Sequence, residues 1–176
     1  MSTIRTPNEL FEHRLRTMLW VEEQLAEEIL PLLYDHVHAV DLKLGIERHI
    51  VETQGHLRTL RSALHLLGAA EHPEESPALV GLRAEHDALM KLVDQERHDV
   101  VDLMHADVIA QSEHQEIAAY DSLVATAHAL GEEEVAAMLQ EILEQEQYAL
   151  ELAERATVKL LAEQVESPRL GLRPSS

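Results

Sequence analysis

Apolar residues recur every three or four positions along most of the chain, and this spacing places them on one face of an α-helix. The stripe is clearest towards the C-terminus, where it comprises Val135, Leu139, Ile142, Leu143, Ala149, Leu150, Ala153 and Leu160. No stretch alternates strictly between apolar and polar residues, as a half-buried β-strand does. The pattern therefore predicts an all-α protein.

Helix start and stop signals divide this pattern into four long helices and one short helix. The predicted helices cover approximately residues 7–35, 39–67, 77–93, 100–130 and 132–164. Short turns make the first two and the last two long helices antiparallel hairpins, and residues 68–99 form a long crossover that carries the short helix. We expect one four-helix bundle domain over residues 1–164 and a flexible tail over residues 165–176.

Capping residues mark several of the predicted helix ends. Thr6, Pro7 and Glu9 combine an N-cap hydroxyl, a proline at the first helical position and a capping-box glutamate. Gly131 suits the end of the third long helix because glycine readily adopts a left-handed conformation. Pro31 lies inside the first helix and has no amide N–H, so we expect a kink or an early end there.

Composition and charge narrow the range of functions. The 176 residues include 33 acidic residues against 14 Lys and Arg, which gives a formal net charge of −19. Such a surface repels nucleic acids and anionic membranes, so we expect neither as a partner. The absence of cysteine excludes thiolate chemistry and disulfides. We see no signal-peptide pattern and no apolar run of membrane-spanning length, and therefore expect a cytoplasmic protein.

Several glutamates lie on helix faces that are otherwise apolar. Glu116 and Glu146 lie near the centres of their stripes, and Glu113 lies one turn from Glu116. Glu52 lies at the edge of the stripe in the second helix, with His56 one turn away. These positions predict that carboxylates point into the core.

In the first helix, two neighbouring glutamates compete for the matching position. Periodicity slightly favours Glu22, which falls within the apolar stripe, over Glu23 on its flank. Counted along the chain, Glu23 lies 15 residues before the first turn and Glu52 lies 14 after it. Glu116 and Glu146 each lie 15 residues from the second turn, about 22 Å at 1.5 Å per residue. Four carboxylates can therefore meet in one layer.

Four carboxylates in a dry core need a source of positive charge, because desolvation and mutual repulsion oppose their ionisation. Residues 100–154 contain thirteen acidic residues and no Lys or Arg. Shared protons, trapped water or bound metal remain as alternatives. Two Fe or Mn ions per chain suit carboxylate and imidazole ligands, as in di-iron and di-manganese bundles.

Four segments carry a family resemblance: ELFEHRLRTMLWVEEQLAEEILP, ERHIVETQGHLRTLRSALHLLG, SEHQEIAAY and LQEILEQEQYALELAE. In this order they resemble segments of the YciE/YciF-like ferritin-like family, over about residues 7–160. Known members look like rubrerythrin-type bundles, look like dimers and are linked to bacterial stress responses, so the resemblance implies a ferritin-like fold and a homodimer. The metal ligands that it implies are Glu23, Glu52, His56, Glu113, Glu116 and Glu146.

The chain departs from the family's pattern at two positions. The tyrosine usual inside the third-helix motif is Gln115, and the acidic residue often found four residues after the last-helix glutamate is Leu150. A second metal ion therefore depends on whether Glu113 or His49 supplies the missing ligand.

These observations lead to two main hypotheses of function. The first is a dinuclear non-haem metal protein of stress defence, which oxidises Fe(II) with dioxygen or peroxide, or removes peroxide. The alternative is a non-catalytic helical stress protein that acts by binding partners and holds a structural metal or none. A third hypothesis is iron storage in a ferritin-type cage, although the helical crossover differs from that of ferritin.

Overall fold

Helices form all of the regular structure in residues 3–166, the part of the chain that the computed structural model describes. They are α1 (Pro7–Gln24), a π-helical segment (Leu25–Ile29), α2 (Leu30–His36), α3 (Val40–Leu66), α4 (Pro77–Met90), α5 (His98–Leu130) and α6 (Glu133–Glu166). The prediction of an all-α protein is confirmed. From residue 167 onward, the predicted tail lies outside the described residues.

The predicted capping residues make the hydrogen bonds expected of them. Thr6 Oγ1 accepts the amide N–H of Glu9 at 3.2 Å, and the Glu9 carboxylate accepts the amide N–H of Thr6 at 3.1 Å. Gly68 and Gly131 follow α3 and α5 with φ of 66° and 80°. Both values lie in the left-handed region that glycine adopts without a steric penalty, so the glycines end these helices.

Pro31 does not end the first helix; a π-helical turn, Leu25–Ile29, precedes it and the chain continues as α2. A proline ring collides with the carbonyl four residues earlier in a regular α-helix, and it has no N–H to donate. In the π turn the N–H of Leu30 bonds to the carbonyl of Leu25, five residues back. The turn therefore holds about one residue more than an α turn, which shifts every residue before it relative to α3.

The long helices pack around one aliphatic core. α1 and α6 each contact both α3 and α5, and α4 packs against α5. The side chains that are fully buried in this core include Leu15, Leu19, Leu60, Leu64, Leu139 and Ile142. The predicted helical bundle is confirmed. None of the helices in residues 3–166 has both the length and the apolar character that crossing a membrane requires.

A buried carboxylate on α5 caps the start of α3. Asp102 accepts the amide N–H groups of His38 and Ala39 at 2.9 and 2.7 Å. Ala39 is the N-cap residue of α3 and makes no side-chain cap bond. Asp102 thus supplies, from a different helix, the acceptor that the N-terminus of α3 needs.

We expect Asp102→Ala to lower the free energy of unfolding by about 2 kcal/mol, because two amide N–H groups lose a charged acceptor. Asp107→Ala, at an exposed position on the same helix, is the control and should change stability by less than about 0.5 kcal/mol. Urea unfolding followed by circular dichroism measures both variants. Equal effects of the two substitutions would contradict the capping role.

Candidate metal centre

The core contains a layer of polar side chains contributed by α1, α3, α5 and α6. Its buried members are Glu22, His49, Thr53, His56, Glu113, Glu116 and Glu146. Among the described residues, no Lys or Arg side chain is buried. The layer therefore has carboxylates and imidazoles but no permanent positive charge.

One group of potential ligands consists of Glu22, His56 and Glu146. His56 Nδ1 lies 3.2 Å from Glu22 Oε2 and 3.0 Å from Glu146 Oε1. The ligand atoms of all three residues lie within 4.8 Å of one another. Three helices, α1, α3 and α6, thus direct donor atoms into one small volume that can hold a metal ion.

A second group lies beside the first and consists of His49, Glu113 and Glu146. His49 Nε2 lies 3.3 Å from Glu113 Oε1 and 3.8 Å from Glu146 Oε2. Glu146 belongs to both groups, because Oε1 faces one histidine and Oε2 faces the other. Each group therefore has one imidazole, one carboxylate of its own and one oxygen of the shared carboxylate.

Glu116 is a further buried carboxylate of the layer. The Ser112 hydroxyl, one turn earlier on α5, donates to Glu116 Oε1 at 2.8 Å. Glu116 Oε2 is buried and has no hydrogen-bond partner. One oxygen is thus held in place while the other remains available to a ligand.

Two outer contacts orient side chains of the first group. The Tyr120 hydroxyl donates to Glu22 Oε1, and Gln145 Oε1 lies 2.8 Å from His56 Nε2. A proton on His56 Nε2 can be donated to this amide oxygen, which leaves Nδ1 free to bind a cation beside the carboxylates. Both contacts are typical of the support that surrounds metal ligands.

Burial makes the acidic members of the layer reluctant to ionise. It raises the pKa of Glu113 and Glu116 well above the ordinary value, and the Glu146 carboxylate adds to both shifts. Burial likewise raises the pKa of Glu22, with a further contribution from Glu146. Without metal, protons therefore take the place of cations on part of this layer.

His56 and Glu146 form the charged pair of the layer. Burial lowers the pKa of His56, but Glu146 and Glu22 outweigh it and raise this pKa to about 11. Burial raises the pKa of Glu146, but the contact with His56 and the nearby His49 bring it below the ordinary value. A protonated His56 thus lies between two carboxylates when metal is absent.

Several buried polar atoms lie near groups of opposite charge but make no well-directed hydrogen bond, which indicates that the layer suits cations. Both oxygens of Glu146, both ring nitrogens of His49 and one oxygen of Glu113 are buried without a hydrogen bond. Buried polar groups normally have partners, since desolvation without compensation costs about 1–3 kcal/mol each. Imidazole and carboxylate together are a ligand set used by Fe and Mn sites, so the residues present fit the expected metals.

The structure places Glu22 in the layer and Glu23 outside it. Glu23 is partly exposed and accepts a hydrogen bond from Arg61 at 2.8 Å. Periodicity favoured Glu22, whereas the resemblance implied Glu23. The count of residues from the turn assumed a regular α-helix; the π turn takes up about one additional residue and moves the matching level from Glu23 to Glu22. We therefore assign the α1 position of the candidate centre to Glu22.

Glu52 lies at the edge of the layer. Arg48 Nε donates to Glu52 Oε1 at 2.8 Å, and Glu52 Oε2 lies 4.0 Å from His49 Nδ1. An arginine thus already balances this carboxylate, and Glu52 belongs to neither group. The other predicted ligands lie in the layer: His56, Glu113, Glu116 and Glu146. Metal binding by these residues stays a prediction.

Some members of the layer were not in the predicted ligand set. His49 was only a substitute for the ligand missing at Leu150, yet it faces Glu113 and Glu146. Its spacing of seven residues from His56 indicated that both histidines point into the core, because residues seven apart share a helix face. The spacing of Ser112, four residues before Glu116, was a similar but less specific signal.

A family model now accounts for the whole helical part of the chain. The model, described as a domain of unknown function, DUF892, matches residues 6–166. This chain belongs to the DUF892 family. The stated resemblance to YciF-like proteins is confirmed by this match together with the solved structures below. No curated protein matches this DUF892 chain at a significant level.

Three solved structures are similar to this DUF892 protein. YcfI from Rhodopseudomonas palustris, proposed to be a structural protein, is 28% identical with a TM-score of 0.74, covering 90% of this chain and 94% of its own. A protein from Xanthomonas campestris pv. campestris is 26% identical with a TM-score of 0.67, covering 91% and 99%. The Escherichia coli stress protein YciF is 23% identical with a TM-score of 0.83, also covering 91% and 99%. This last likeness supports the helical bundle alone.

The raised pKa values predict how the stability of the metal-free protein depends on pH. Folded Glu113, Glu116 and His56 hold protons more tightly than the unfolded chain does, so their stabilising contribution is lost as pH rises. Burial lowers the pKa of His105 to about 4. This histidine therefore makes the free energy of unfolding rise with pH, but only at pH values below the ordinary pKa of histidine. We therefore expect the free energy of unfolding, measured with a chelator present, to fall between about pH 7 and pH 9. A rise over that interval would contradict this electrostatic description.

The substitution Glu116→Gln measures what the ionisable carboxyl group of Glu116 contributes to stability. Glutamine keeps an oxygen that can accept from Ser112, but it cannot ionise. We expect the substitution to raise the free energy of unfolding of the metal-free protein at pH 8 by roughly 1–3 kcal/mol. Asp121→Asn, exposed on the same helix, is the control and should have little effect. Chemical denaturation in the presence of a chelator measures both, and a destabilised Gln variant would show that Glu116 is well tolerated as an anion.

Proposed function

We propose that this protein is a ferritin-like dinuclear metal protein of stress defence, with Fe or Mn as its ions. The observation that carries the proposal is the pair of His/Glu groups that share Glu146 in a core to which the described residues contribute no Lys or Arg. In this proposal α4 and its flanking loops are the crossover between two helix hairpins. A homodimer, which the family resemblance implied, and a cytoplasmic location, which the sequence led us to expect, remain part of the proposal.

Each group has the residues to hold one ion. Glu22 and His56 would hold the first, His49 and Glu113 the second, and Glu146 would offer one oxygen to each. Glu116 forms no ion pair with either histidine. Once ionised, it adds negative charge beside both groups and raises their affinity for cations. The net charge of −19 would concentrate Fe(II) around the protein.

When bound, the ions would supply the electrons for reduction of dioxygen or peroxide as Fe(II) or Mn(II) is oxidised. The surrounding residues of the chain orient the ligands. Gln145 holds the ring of His56, and Tyr120 holds the carboxylate of Glu22. The aliphatic side chains around the layer lower the local dielectric constant and strengthen the attraction between cations and carboxylates.

A second candidate function is that of a metal-free or metal-stabilised structural protein that binds partners. The position of His56 favours it, because a protonated imidazole between Glu22 and Glu146 balances charge without metal. The proposed structural role of the Rhodopseudomonas palustris protein, 28% identical over 90% of this chain, is consistent with this alternative.

Metal content after anaerobic loading with Fe(II) or Mn(II) tests the proposal. We expect about two ions per chain in the wild type. Glu146→Gln should retain few or none because both groups lose a charged oxygen, whereas His49→Ala should retain about one because only the second group is damaged. Glu144→Gln, exposed on the same helix, is the matched control and should load like the wild type.

Inductively coupled plasma mass spectrometry on desalted protein gives these stoichiometries. A wild type that takes up no metal favours the structural alternative. Full loading of Glu146→Gln would show that the shared carboxylate is not part of the site.

A further inference from the structure

An apolar cavity of about 50 Å³ lies between the π-helical segment, α2, α4 and α5. Its lining is mostly aliphatic and includes Leu25, Ile29, Leu33, Leu79, Leu82 and Ile109. The volume exceeds several-fold the roughly 10–15 Å³ that a single water needs by the same kind of measure. The cavity therefore has room for a small molecule, but its walls offer few hydrogen bonds.

The lining also carries titratable side chains: Glu28, Arg83 and Asp87 are exposed, His86 is half-buried, and Glu113 is buried. Glu28 and Arg83, both well exposed, form an ion pair at 2.8 Å between the π-helical segment and α4. Glu113, by contrast, is buried, lines the same cavity and belongs to the second ligand group. Its Oε2 has no hydrogen-bond partner. The cavity thus connects an exposed, charge-paired rim with a carboxylate of the candidate centre.

We propose that this cavity admits dioxygen to the Glu113 side of the centre. The proposal rests on the proposed function for its purpose, although the affinity of the cavity for an apolar gas does not depend on bound metal. Dioxygen is small, uncharged and without a dipole, so it gives up little hydration on entering aliphatic surroundings. Hydrated cations would lose their water there without compensation, and water itself would lack the polar partners that it needs.

A second cavity, of about 520 Å³, provides a contrast. Its lining includes His13, Arg14, Glu75 and Gln115, and it reaches Glu116. The polar part of this mixed lining suits water, peroxide and hydrated cations, because such molecules keep hydrogen bonds during entry. The two cavities thus reach different carboxylates of the layer, Glu113 and Glu116, and of these two the aliphatic cavity favours an apolar oxidant over water and cations.

Xenon tests the aliphatic cavity without any metal, because xenon binds in dry apolar cavities. We expect a xenon atom beside Leu25 and Leu82 in crystals of the metal-free protein held under xenon pressure; Ile109 alone would not identify the cavity, because it also borders a smaller apolar cavity of about 20 Å³. Leu82→Trp should fill the space and remove this site, and Ile109→Phe should do so with a smaller change in volume. Val80→Trp, exposed on the same helix, should leave the xenon in place. No xenon in the wild type, or xenon retained in both filled variants, overturns the proposal.

Oxidation kinetics then test the selectivity for dioxygen. In iron-loaded protein, Ile109→Phe should slow Fe(II) oxidation by limiting dioxygen about tenfold, while oxidation by hydrogen peroxide stays within about twofold of wild type. Equal slowing with both oxidants overturns the selective route. A wild type that binds no iron overturns the proposed function, whereas missing xenon overturns the route alone, so the two failures are distinguishable.

Discussion

The burial of like-charged carboxylates in an aliphatic core is the constraint on which the rest of this structure depends. An ionised, unpaired carboxylate there costs several kcal/mol, a large share of the roughly 5–15 kcal/mol by which a typical domain is stable. His56 supplies one positive charge between Glu22 and Glu146, and burial raises the pKa of Glu113 and Glu116, which favours protonation of these carboxylates. Cations can replace those protons, so the residues that weaken the metal-free bundle are the ones best suited to bind metal. Stability and metal affinity are thus opposed at the same atoms.

One proline connects the backbone of the first helix with the candidate centre. Pro31 cannot follow a regular α turn, and the π turn before it takes up about one additional residue. That residue brings Glu22 level with the other glutamates and turns Glu23 towards Arg61. The same turn provides Leu25 to the wall of the aliphatic cavity. π turns inside α-helices are frequent at functional sites, and here the geometry gives a direct reason.

The fold and most of the candidate site could be predicted because both depend on periodicity along single helices. The 3.6-residue repeat and the caps at Thr6 and Gly131 located the helices to within a few residues. The first-helix glutamate could not be fixed, because the π turn before Pro31 alters the residue count without a specific sequence signal. The pairing of Glu52 with Arg48 had a sequence signal, because residues four apart share a helix face, but that spacing does not decide between this ion pair and metal binding. Periodicity assigns a face to a side chain, but not its partner.

The second ligand group shows why a motif within one helix describes such a centre incompletely. The position four residues after Glu146 is Leu150, which supplies no ligand, yet His49 on α3 faces the remaining oxygen of Glu146, and Glu113 on α5 completes this group. A cation responds to the donor atoms around a volume, whichever helices provide them. In a bundle, several helices border the same volume, so a ligand lost from one helix can be replaced from another without a change in the backbone. The chemistry of the layer is therefore better judged from its total of carboxylates and imidazoles than from the spacing within any one helix.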